Sequence, residues 1–308
     1  MPAIKVENNE HWHQLRKEHV GASESAALFG ESPYVTGFGL WHEKKGTYQE
    51  DRDSNFTRWG NRLESVIAKG IAEDNEWKIQ KVHQYHIHPK IKGMGASLDY
   101  RFIDDPRGPG VYEIKNVDSM VFREKFVVEG KQIIEAPLYF ELQLQHQMAV
   151  TGYEWGRLGA LVGGNNDYYL ERERHQPTIE ALEIAVIKFW ETIEKGIEPE
   201  VSSYQDLAYA QKVFNGTRTL VIENERLNHY GYVLKDLQKQ ALELDKAIDV
   251  AKAQILREMN ALDACDVKVG EYHFKNIVQK RKETIIPAWE KPVFRLSTSK
   301  SKKEASDG

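Results

Sequence analysis

Three residues with complementary chemistry stand in the segment GASLDYRFIDDPRGPGVYEIKN, residues 95–116. Asp99 follows a short strand-like run, and the next run ends with Glu113 and Lys115. Residues two apart on a strand point to the same face, so Glu113 and Lys115 are expected side by side. Two carboxylates and an ammonium at one sheet edge would be costly as architecture alone. They make sense when a metal ion and a phosphate lie between them.

The two carboxylates are hard oxygen ligands, which suit Mg²⁺ or Mn²⁺ better than zinc. Lys115 would then lie beside the attacking water, where it orients that water or offsets negative charge on the phosphorus. A nucleophilic water, a Lewis acid and a cation are what phosphodiester hydrolysis requires. The spacing of the three residues is a weak pattern by itself, because many surface hairpins would match it. The surrounding elements therefore have to support it.

Composition narrows the class of protein. The chain has 308 residues, of which 41% are hydrophobic and 29% charged, as expected for a soluble globular protein. The sequence contains no run of 18 apolar residues, so no transmembrane helix is predicted. The N-terminal residues have no apolar signal core. Cys265 is the only cysteine, which excludes an internal disulfide and a cysteine-based zinc site. We expect a reducing, cytoplasmic setting.

The elements around the three residues indicate a mixed α/β domain. Residues 97–104 and 110–116 are predicted to form a hairpin around DPRGPG, and residues 155–162 and 166–172 a second pair of strands around GGNN. A strand is also predicted over 79–88. Apolar residues at four-residue spacing (Trp59, Leu63, Ile67 and Ile71) predict a helix over 57–74. Further helices are predicted over 11–30, with a turn near Gly21, and over 138–151 and 177–195.

A second region follows, so we divide the chain into domains at 1–205 and 206–308. Apolar residues from Leu237 to Leu262 alternate at spacings of four and three, which predicts a long helix with a coiled-coil-like seam. Residues 267–286 then alternate as a β-hairpin does. We favour packing of this helix against the preceding domain over a free coiled coil.

Charge is distributed unevenly along the chain. The net charge is −5, but nine Lys or Arg residues against two Glu residues lie between Lys275 and Lys303, so the rest of the chain carries about −12. Such a basic stretch is either a weak DNA contact or a solvated end. The residues that we assign weakly to DNA binding are Lys275, Lys280, Arg281 and Lys282.

The order of short motifs carries a resemblance. A helix with GNRLE, a strand with SLD, a strand with EIK and a helix with QLQHQM follow one another, and this order resembles the PD-(D/E)XK nucleases. More narrowly, the chain is similar to the YqaJ-type viral recombinases and the lambda exonuclease-like group over about residues 11–200. The supporting segments are WHQLRKEHVGASES, ALFGESPYVTGFGLWHEKKG, WGNRLE and YFELQLQHQMAVTG.

This resemblance implies an α/β (α+β) fold with a central mixed sheet flanked by helices, to which this chain adds its long helix and hairpin. It also implies roles for individual residues. Asp99, Glu113 and the carbonyl of Ile114 would hold the metal ion, and Glu64 would support the site. Lys115 and Gln143 would orient the attacking water. Arg16 and Ser23 would hold the 5′-phosphate of a DNA end.

The implied activity is that of a phage-type exonuclease. Such an enzyme uses Mg²⁺, with Mn²⁺ as a substitute, to digest one strand of duplex DNA from its 5′ end, and it leaves a 3′ single strand for recombination by annealing. The family further implies a homotrimer, a single-strand annealing protein as partner, and a phage or prophage protein in the bacterial cytoplasm. The alternatives are an endonuclease of the same fold and a non-catalytic DNA-binding recombination protein.

Some residues also have simpler interpretations. Leu98 stands where the family motif has proline, and an upstream carboxylate of the family has no clear match here. Glu64 could lie on a solvated helix face, and Ser23 could be only an N-cap. We expect the histidines of VHQYHIHP (His83, His86 and His88) to be structural or DNA-facing rather than metal ligands. Tyr34, Phe38 and Trp41 are expected in the core, although one of them could stack on a base.

Overall fold

The computed structural model describes residues 2–48, 54–220 and 222–276. The chain divides into two compact units, Met1–Asn215 and Gly216–Gly308. This boundary lies after the predicted one at residue 205, because the short helix Asp206–Val213 packs on the first unit. A Cβ added to Gly39 would lie 2.5 Å from the ring of Tyr209, so that helix approaches its neighbour very closely.

The helices of the first unit begin at residues that the sequence makes good caps. The side chains of Asn8, Thr36, Ser54 and Asp118 each accept a hydrogen bond from a first-turn backbone N–H. In chain order the α-helices are α1 (Asn9–Glu18), α2 (Gly37–Lys45), α3 (Asn55–Asp74), α4 (Ser119–Lys125), α5 (Leu138–Thr151), α6 (Gln176–Lys195) and α7 (Asp206–Val213), with a 3₁₀ helix at Ala22–Phe29. The predicted helical segment 11–30 and its turn near Gly21 are confirmed, since α1 and the 3₁₀ helix lie on either side of that turn.

The strands of the first unit form two sheets within the described residues. In chain order they are β1 (Ala3–Lys5), β2 (Ile79–Lys81), β3 (Gln84–Ile87), β4 (Gly95–Ser97), β5 (Tyr100–Phe102), β6 (Gly110–Val117), β7 (Val127–Glu129), β8 (Gln132–Glu135), β9 (Trp155–Val162) and β10 (Asn166–Glu173). One sheet has the order β1-β3-β4, and the larger has the order β2-β5-β6-β9-β10-β8-β7. The predicted strand over 79–88 is wrong as a single element, because β2 and β3 belong to different sheets.

The larger sheet is mixed, as predicted. Strand β6 lies near its middle, antiparallel to β5 and parallel to β9, and β9 is antiparallel to β10. The predicted pair around GGNN is confirmed. The pair around DPRGPG is confirmed for β5 and β6, but the strand predicted over 97–104 is shorter, because Ser97 belongs to β4 of the smaller sheet. A parallel pair needs a crossover of a dozen or more residues, and α4, the β7–β8 hairpin and α5 supply it here.

Helices cover the sheets and bury the core. Ile67 and Ile71 of α3 pack with aromatic residues of β5, β6 and β9, which confirms most of the predicted apolar stripe. Trp59, at the start of that stripe, is 54% exposed. The largest buried cluster joins α2, the 3₁₀ helix, α5 and α6. The fold is thus the predicted mixed sheet flanked by helices, with α5 packed beside the strand that carries Glu113.

The second unit contains the predicted long helix and hairpin. Helix α8 (Glu225–Ala261) begins earlier than Leu237, because Asn224 caps it by accepting from the backbone N–H of Leu227 at 3.0 Å. Strands β11 (Asp266–Val269) and β12 (Tyr272–Lys275) pair antiparallel. The rest of the predicted hairpin, 277–286, lies outside the described residues.

Candidate active site

Asp99 lies where the chain passes from the smaller sheet to the larger one, between β4 and β5. Its Oδ2 accepts a hydrogen bond from the backbone N–H of Ile114 at 2.9 Å. Ile114 stands between Glu113 and Lys115 in β6, so this bond fixes the first motif residue against the other two. The structure therefore brings Asp99, Glu113 and Lys115 together, as the sequence predicts.

Glu113 is the buried centre of the site, with 5% of its surface exposed. Its Oε1 accepts from Lys115 Nζ at 2.7 Å and from Gln143 Nε2 at 2.6 Å. Its Oε2 accepts from Gln147 Nε2 at 2.6 Å. A buried carboxylate is tolerated when it is paired and hydrogen-bonded, and these three donors meet that requirement.

The surroundings of Asp99 disfavour its ionised form. Burial raises the pKa of the Asp99 carboxyl well above its ordinary value, and the nearby carboxylates of Glu113 and Glu64 raise it further. Lys115 and the Ile114 N–H oppose this shift of the pKa without cancelling it. Burial lowers the pKa of Lys115, but Glu113 and Asp99 outweigh that effect and leave the pKa raised. The site holds more negative charge than its own lysine compensates.

Glu64 approaches Asp99 from helix α3. It lies on α3 with 23% of its side chain exposed, and its Oε1 accepts from Lys81 Nζ at 3.0 Å. Its charge contributes to the raised pKa of Asp99, so the predicted Glu64 is near the motif residues rather than on a remote helix face.

The donors at the site fit a hard divalent cation. Within the described ranges, no group of three or more His, Cys, Asp or Glu side chains is arranged to hold a metal ion. The predicted set of Asp99, Glu113 and the Ile114 carbonyl stays a prediction. Mg²⁺ is typically held by one or two carboxylates and fills its other positions with water and substrate oxygens.

The glutamines of α5 divide into two functions. Gln143 and Gln147 are one turn apart and both donate to Glu113. Gln145 points elsewhere: its Nε2 donates to the Glu173 carbonyl and its Oε1 accepts from the His175 N–H, both at 2.8 Å. The sequence assigned a role only to Gln143, although the four-residue spacing of Gln147 placed it on the same face.

Known proteins resemble this chain over part or most of its length. Residues 11–154 match the sequence model of the YqaJ-like viral recombinase domain. Over this range the chain is similar to that family. All five motif residues of the site, from Glu64 to Gln143, lie within the matched range. YqaJ of Bacillus subtilis (strain 168) is 26% identical over 303 residues, which cover 90% of this chain and 86% of that protein.

Solved structures include partial matches. The alkaline exonuclease LHK-Exo from Laribacter hongkongensis has a TM-score of 0.48 at 21% identity, covering 66% of this chain and 98% of that one. A phage related exonuclease from Haemophilus somnus 129PT has a TM-score of 0.39 at 11% identity, covering 58% of this chain and 96% of that one.

The N-terminal segment of the first unit forms a separate charged cluster. Arg16 Nη2 donates to Glu24 Oε1, and Lys44 Nζ donates to Glu24 Oε2 at 2.6 Å. Ser23 is exposed in the first turn of the 3₁₀ helix. The N-cap is Gly21, whose N–H donates to Glu24 Oε2 at 2.9 Å, so the interpretation of Ser23 as an N-cap is wrong. A role of Arg16 and Ser23 at a phosphate stays a prediction.

The histidines and aromatic residues singled out in the sequence of the first unit differ in their burial. His86 and His88 are buried, and His88 Nδ1 accepts from the backbone N–H groups of Lys90 and Ile91, which fits the predicted structural role. Phe38 and Trp41 are buried as expected.

Tyr34 is 72% exposed, so the expectation that it belongs to the core is wrong. Its ring meets that of Tyr139, at the start of α5, at 5.9 Å between centroids. The Tyr34 hydroxyl also adds to the raised pKa of Lys115, so this exposed ring lies near the motif lysine.

In the second unit, Lys275 of β12 is half exposed and forms an ion pair with Asp266 at 3.0 Å. Lys280, Arg281 and Lys282 lie outside the described residues. None of the helices in the described ranges has the length and apolar character needed to cross a membrane.

Proposed function

We propose that this protein is a divalent-metal-dependent exonuclease that digests one strand of duplex DNA from its 5′ end. The observation that carries the proposal is the convergence of Asp99, Glu113 and Lys115, made by the Asp99–Ile114 hydrogen bond and the 2.7 Å Lys115–Glu113 contact. The similarity of residues 11–154 to the YqaJ-like viral recombinase domain supports recombining DNA as the substrate.

Each residue of the site has a task in this proposal. Asp99, Glu113 and the Ile114 carbonyl hold the cation, and Mg²⁺ or Mn²⁺ supplies Lewis acidity when it is bound. Lys115 and Gln143 donate to the same oxygen of Glu113, so their donors lie together where an attacking water would be oriented. Lys115 also offsets the charge that develops on the phosphoryl oxygens. Glu64 supports the site from α3.

The end of the DNA is recognised by other residues. Arg16 and Ser23, near the start of the 3₁₀ helix, bind the 5′-phosphate, for which a guanidinium is well suited because its donors form a fixed fork. The region after residue 205 or 215 carries no chemistry in this proposal and contacts DNA through Lys275 and the basic residues that follow it.

The biological setting follows from the same proposal. The product is a 3′ single strand, so a single-strand annealing protein is the expected partner in recombination. A homotrimer would enclose the duplex, since a ring with a basic lining focuses positive potential on DNA inside an acidic body. We place the protein in the cytoplasm of a bacterial host of a phage or prophage.

Digestion of end-labelled DNA tests this function directly. Linear duplexes labelled at the 5′ or 3′ end and a covalently closed circle are incubated with Mg²⁺, Mn²⁺, Ca²⁺ or EDTA. We expect early release of 5′ label as mononucleotide with Mg²⁺ or Mn²⁺, and an intact circle. Ca²⁺ should not support efficient hydrolysis, because its longer and looser coordination shell positions water poorly.

The same assay separates the alternatives. Cutting of the closed circle would indicate an endonuclease of this fold. Binding of DNA without any Mg²⁺-dependent release of nucleotides would indicate a non-catalytic recombination protein. Early loss of the 3′ label would reverse the proposed polarity.

A further inference from the structure

A second lysine lies at the active site outside the Asp-Glu-Lys motif. Lys81 ends β2 and is paired in register with Tyr100, the residue after Asp99. The next backbone N–H, that of Val82, donates to the Asp99 carbonyl at 3.2 Å. Lys81 Nζ lies 3.0 Å from Glu64 Oε1 and 5.6 Å from the centre of the Tyr100 ring. The fold thus holds this ammonium at the rim of the carboxylate group.

The ion pair between Lys81 and Glu64 has little value as a stabilising contact. The two side chains are 44% and 23% exposed, and exposed pairs typically contribute about 0–1 kcal/mol. Burial lowers the pKa of Lys81, but its hydrogen bond to Glu64 and the carboxylate charges outweigh that effect and raise the pKa. Lys81 is therefore charged at neutral pH, yet its bond to Glu64 is inexpensive to exchange for another anion.

The chemistry of the site gives that cation a purpose. The carboxylates of Glu64 and Glu113 are close enough to Asp99 to raise its pKa. In the proposed function an anionic DNA strand has to approach these three negative charges. Lys115 is engaged with Glu113 and only 24% exposed, whereas Lys81 is more accessible at the edge of the sheet. A half-exposed ammonium with three donors is suited to a phosphate oxygen.

We propose that Lys81 binds a backbone phosphate of the DNA strand held at Asp99 and Glu113, exchanging its bond to Glu64 for the phosphate. This inference rests on the proposed function, because it assumes that DNA enters the site. It makes Lys81 a substrate-binding residue at the active site that the sequence motif does not contain.

Binding without catalysis tests this role. The affinity of Lys81→Gln, Lys81→Arg and wild-type protein for a 5′-phosphorylated duplex is measured by fluorescence anisotropy in EDTA over a range of salt concentrations. We expect Lys81→Gln to bind about tenfold more weakly near physiological salt, the size of a lost charge-assisted hydrogen bond. Its salt slope should be smaller by about 0.9, or about 0.7 if the contacted strand is single-stranded. Lys81→Arg keeps the charge and should bind nearly as wild type does.

Lys78→Gln is the matched control. Lys78 precedes β2 by one residue and forms an exposed ion pair with Asp104, so its loss should change neither affinity nor slope. Glu64→Gln separates phosphate binding from a purely structural pair. It removes a negative charge and frees Lys81, so DNA binding should be unchanged or tighter. Weaker binding by Glu64→Gln, equal to that of Lys81→Gln, would show that only the pair matters and would overturn the proposal.

Failures of the two proposals differ. If wild-type protein binds DNA and Lys81→Gln matches its affinity and slope, or if Lys81→Arg binds as poorly as Lys81→Gln, the role of Lys81 is overturned while the exonuclease proposal stands. If wild-type protein neither binds nor cuts DNA, both proposals fall. In Mg²⁺, Lys81→Gln should raise KM more than it lowers kcat, since Lys81 binds substrate rather than activating water.

Discussion

Two buried carboxylates of this protein, Glu113 and Glu24, are each held by at least three donors, yet their surroundings differ. Glu113 accepts from a lysine and two glutamines. Glu24 accepts from Arg16, Lys44 and the Gly21 N–H. Each is 5% exposed or less. Hydrogen bonding alone therefore does not distinguish the site on the sheet from the cluster beside α1.

The two carboxylates differ in the charged groups around them. Beside Glu113 stand Asp99 and Glu64, and the pKa of Asp99 is raised by burial and by these like charges. At Glu24 the partners have opposite charge: burial lowers the pKa of Arg16, but Glu24 outweighs that effect and raises it. A cluster of like charges costs stability and is retained where it binds or reacts, whereas opposite charges brace a fold. These charges favour chemistry at the Glu113 cluster, whereas the Glu24 cluster can brace the fold whether or not Arg16 also binds a phosphate.

The largest expected effect is the loss of turnover in Lys115→Ala. Removing a cation that acts on the transition state should lower the rate of DNA digestion by about 10²–10³, and more if it also positions water. DNA binding in EDTA should largely remain. Lys131→Ala is the control, because Lys131 also pairs with a carboxylate, Asp167 at 2.9 Å, but lies exposed and away from the site. Turnover of Lys115→Ala close to that of Lys131→Ala would contradict the assignment.

A smaller loss is expected at Gln147. Residues that orient a metal ligand typically contribute 10–100-fold to affinity or activity, and Gln147→Ala removes the donor to Glu113 Oε2. Gln145→Ala, two residues away on α5, removes backbone contacts instead and should change stability without changing kcat per folded molecule. Mn²⁺ titration and turnover of both variants measure the difference. Equal losses of kcat would mean that α5 acts only as a scaffold.

Arg16 sharpens the comparison, because the sequence assigns it to the 5′-phosphate while the structure pairs it with Glu24. Arg16→Ala should slow digestion of 5′-phosphorylated ends roughly tenfold more than that of 5′-hydroxyl ends, as expected for a lost charge-assisted contact. The ratio of the two rates is the readout, since any general loss of stability affects both substrates alike. Equal slowing on both ends would make Arg16 a brace of the Glu24 cluster only.

Local sequence was sufficient for part of the site. Asp99, Glu113 and Lys115 come from one segment, and the strand period of two predicts the neighbours that the structure shows. The contacts of Glu64 with Lys81 and of Gln147 with Glu113 span 17 and 34 residues. Such pairs depend on how helices settle on the sheet, which side-chain packing decides and local spacing does not.

The fold follows the same division. The strands on either side of DPRGPG and GGNN were found because turn residues mark their ends. The break between β2 and β3 was missed, since residues 79–88 alternate without such a mark while their strands join different sheets. The early start of α8 was missed as well, although Leu227, Tyr230 and Leu234 extend the apolar seam upstream of Leu237.

The smallest expected effect is a gain of stability in Asp99→Asn. The folded protein raises the pKa of this carboxyl, so the folded state retains the proton at pH values where the unfolded chain has released it. Stability is then undiminished below the unfolded pKa of about 3.9 and falls as pH rises through the folded pKa. Ionisation of Asp99 in the folded protein is therefore a cost when no cation is bound. An amide of the same shape removes the charge and keeps an oxygen for the Ile114 N–H.

Denaturant unfolding in EDTA at several pH values measures this gain. Asp99→Asn should be more stable than wild type at neutral pH, by on the order of 1 kcal/mol, the size of ordinary stabilising substitutions. The difference in stability should shrink as the pH falls below the unfolded pKa, because Asp99 of the wild type is then protonated in both the folded and the unfolded protein. Added Mg²⁺ should stabilise wild type and not the variant, because a ligand stabilises only the state that binds it. A variant less stable than wild type at neutral pH would mean that Asp99 braces the fold as Glu24 does, and the distinction between the two clusters would be lost.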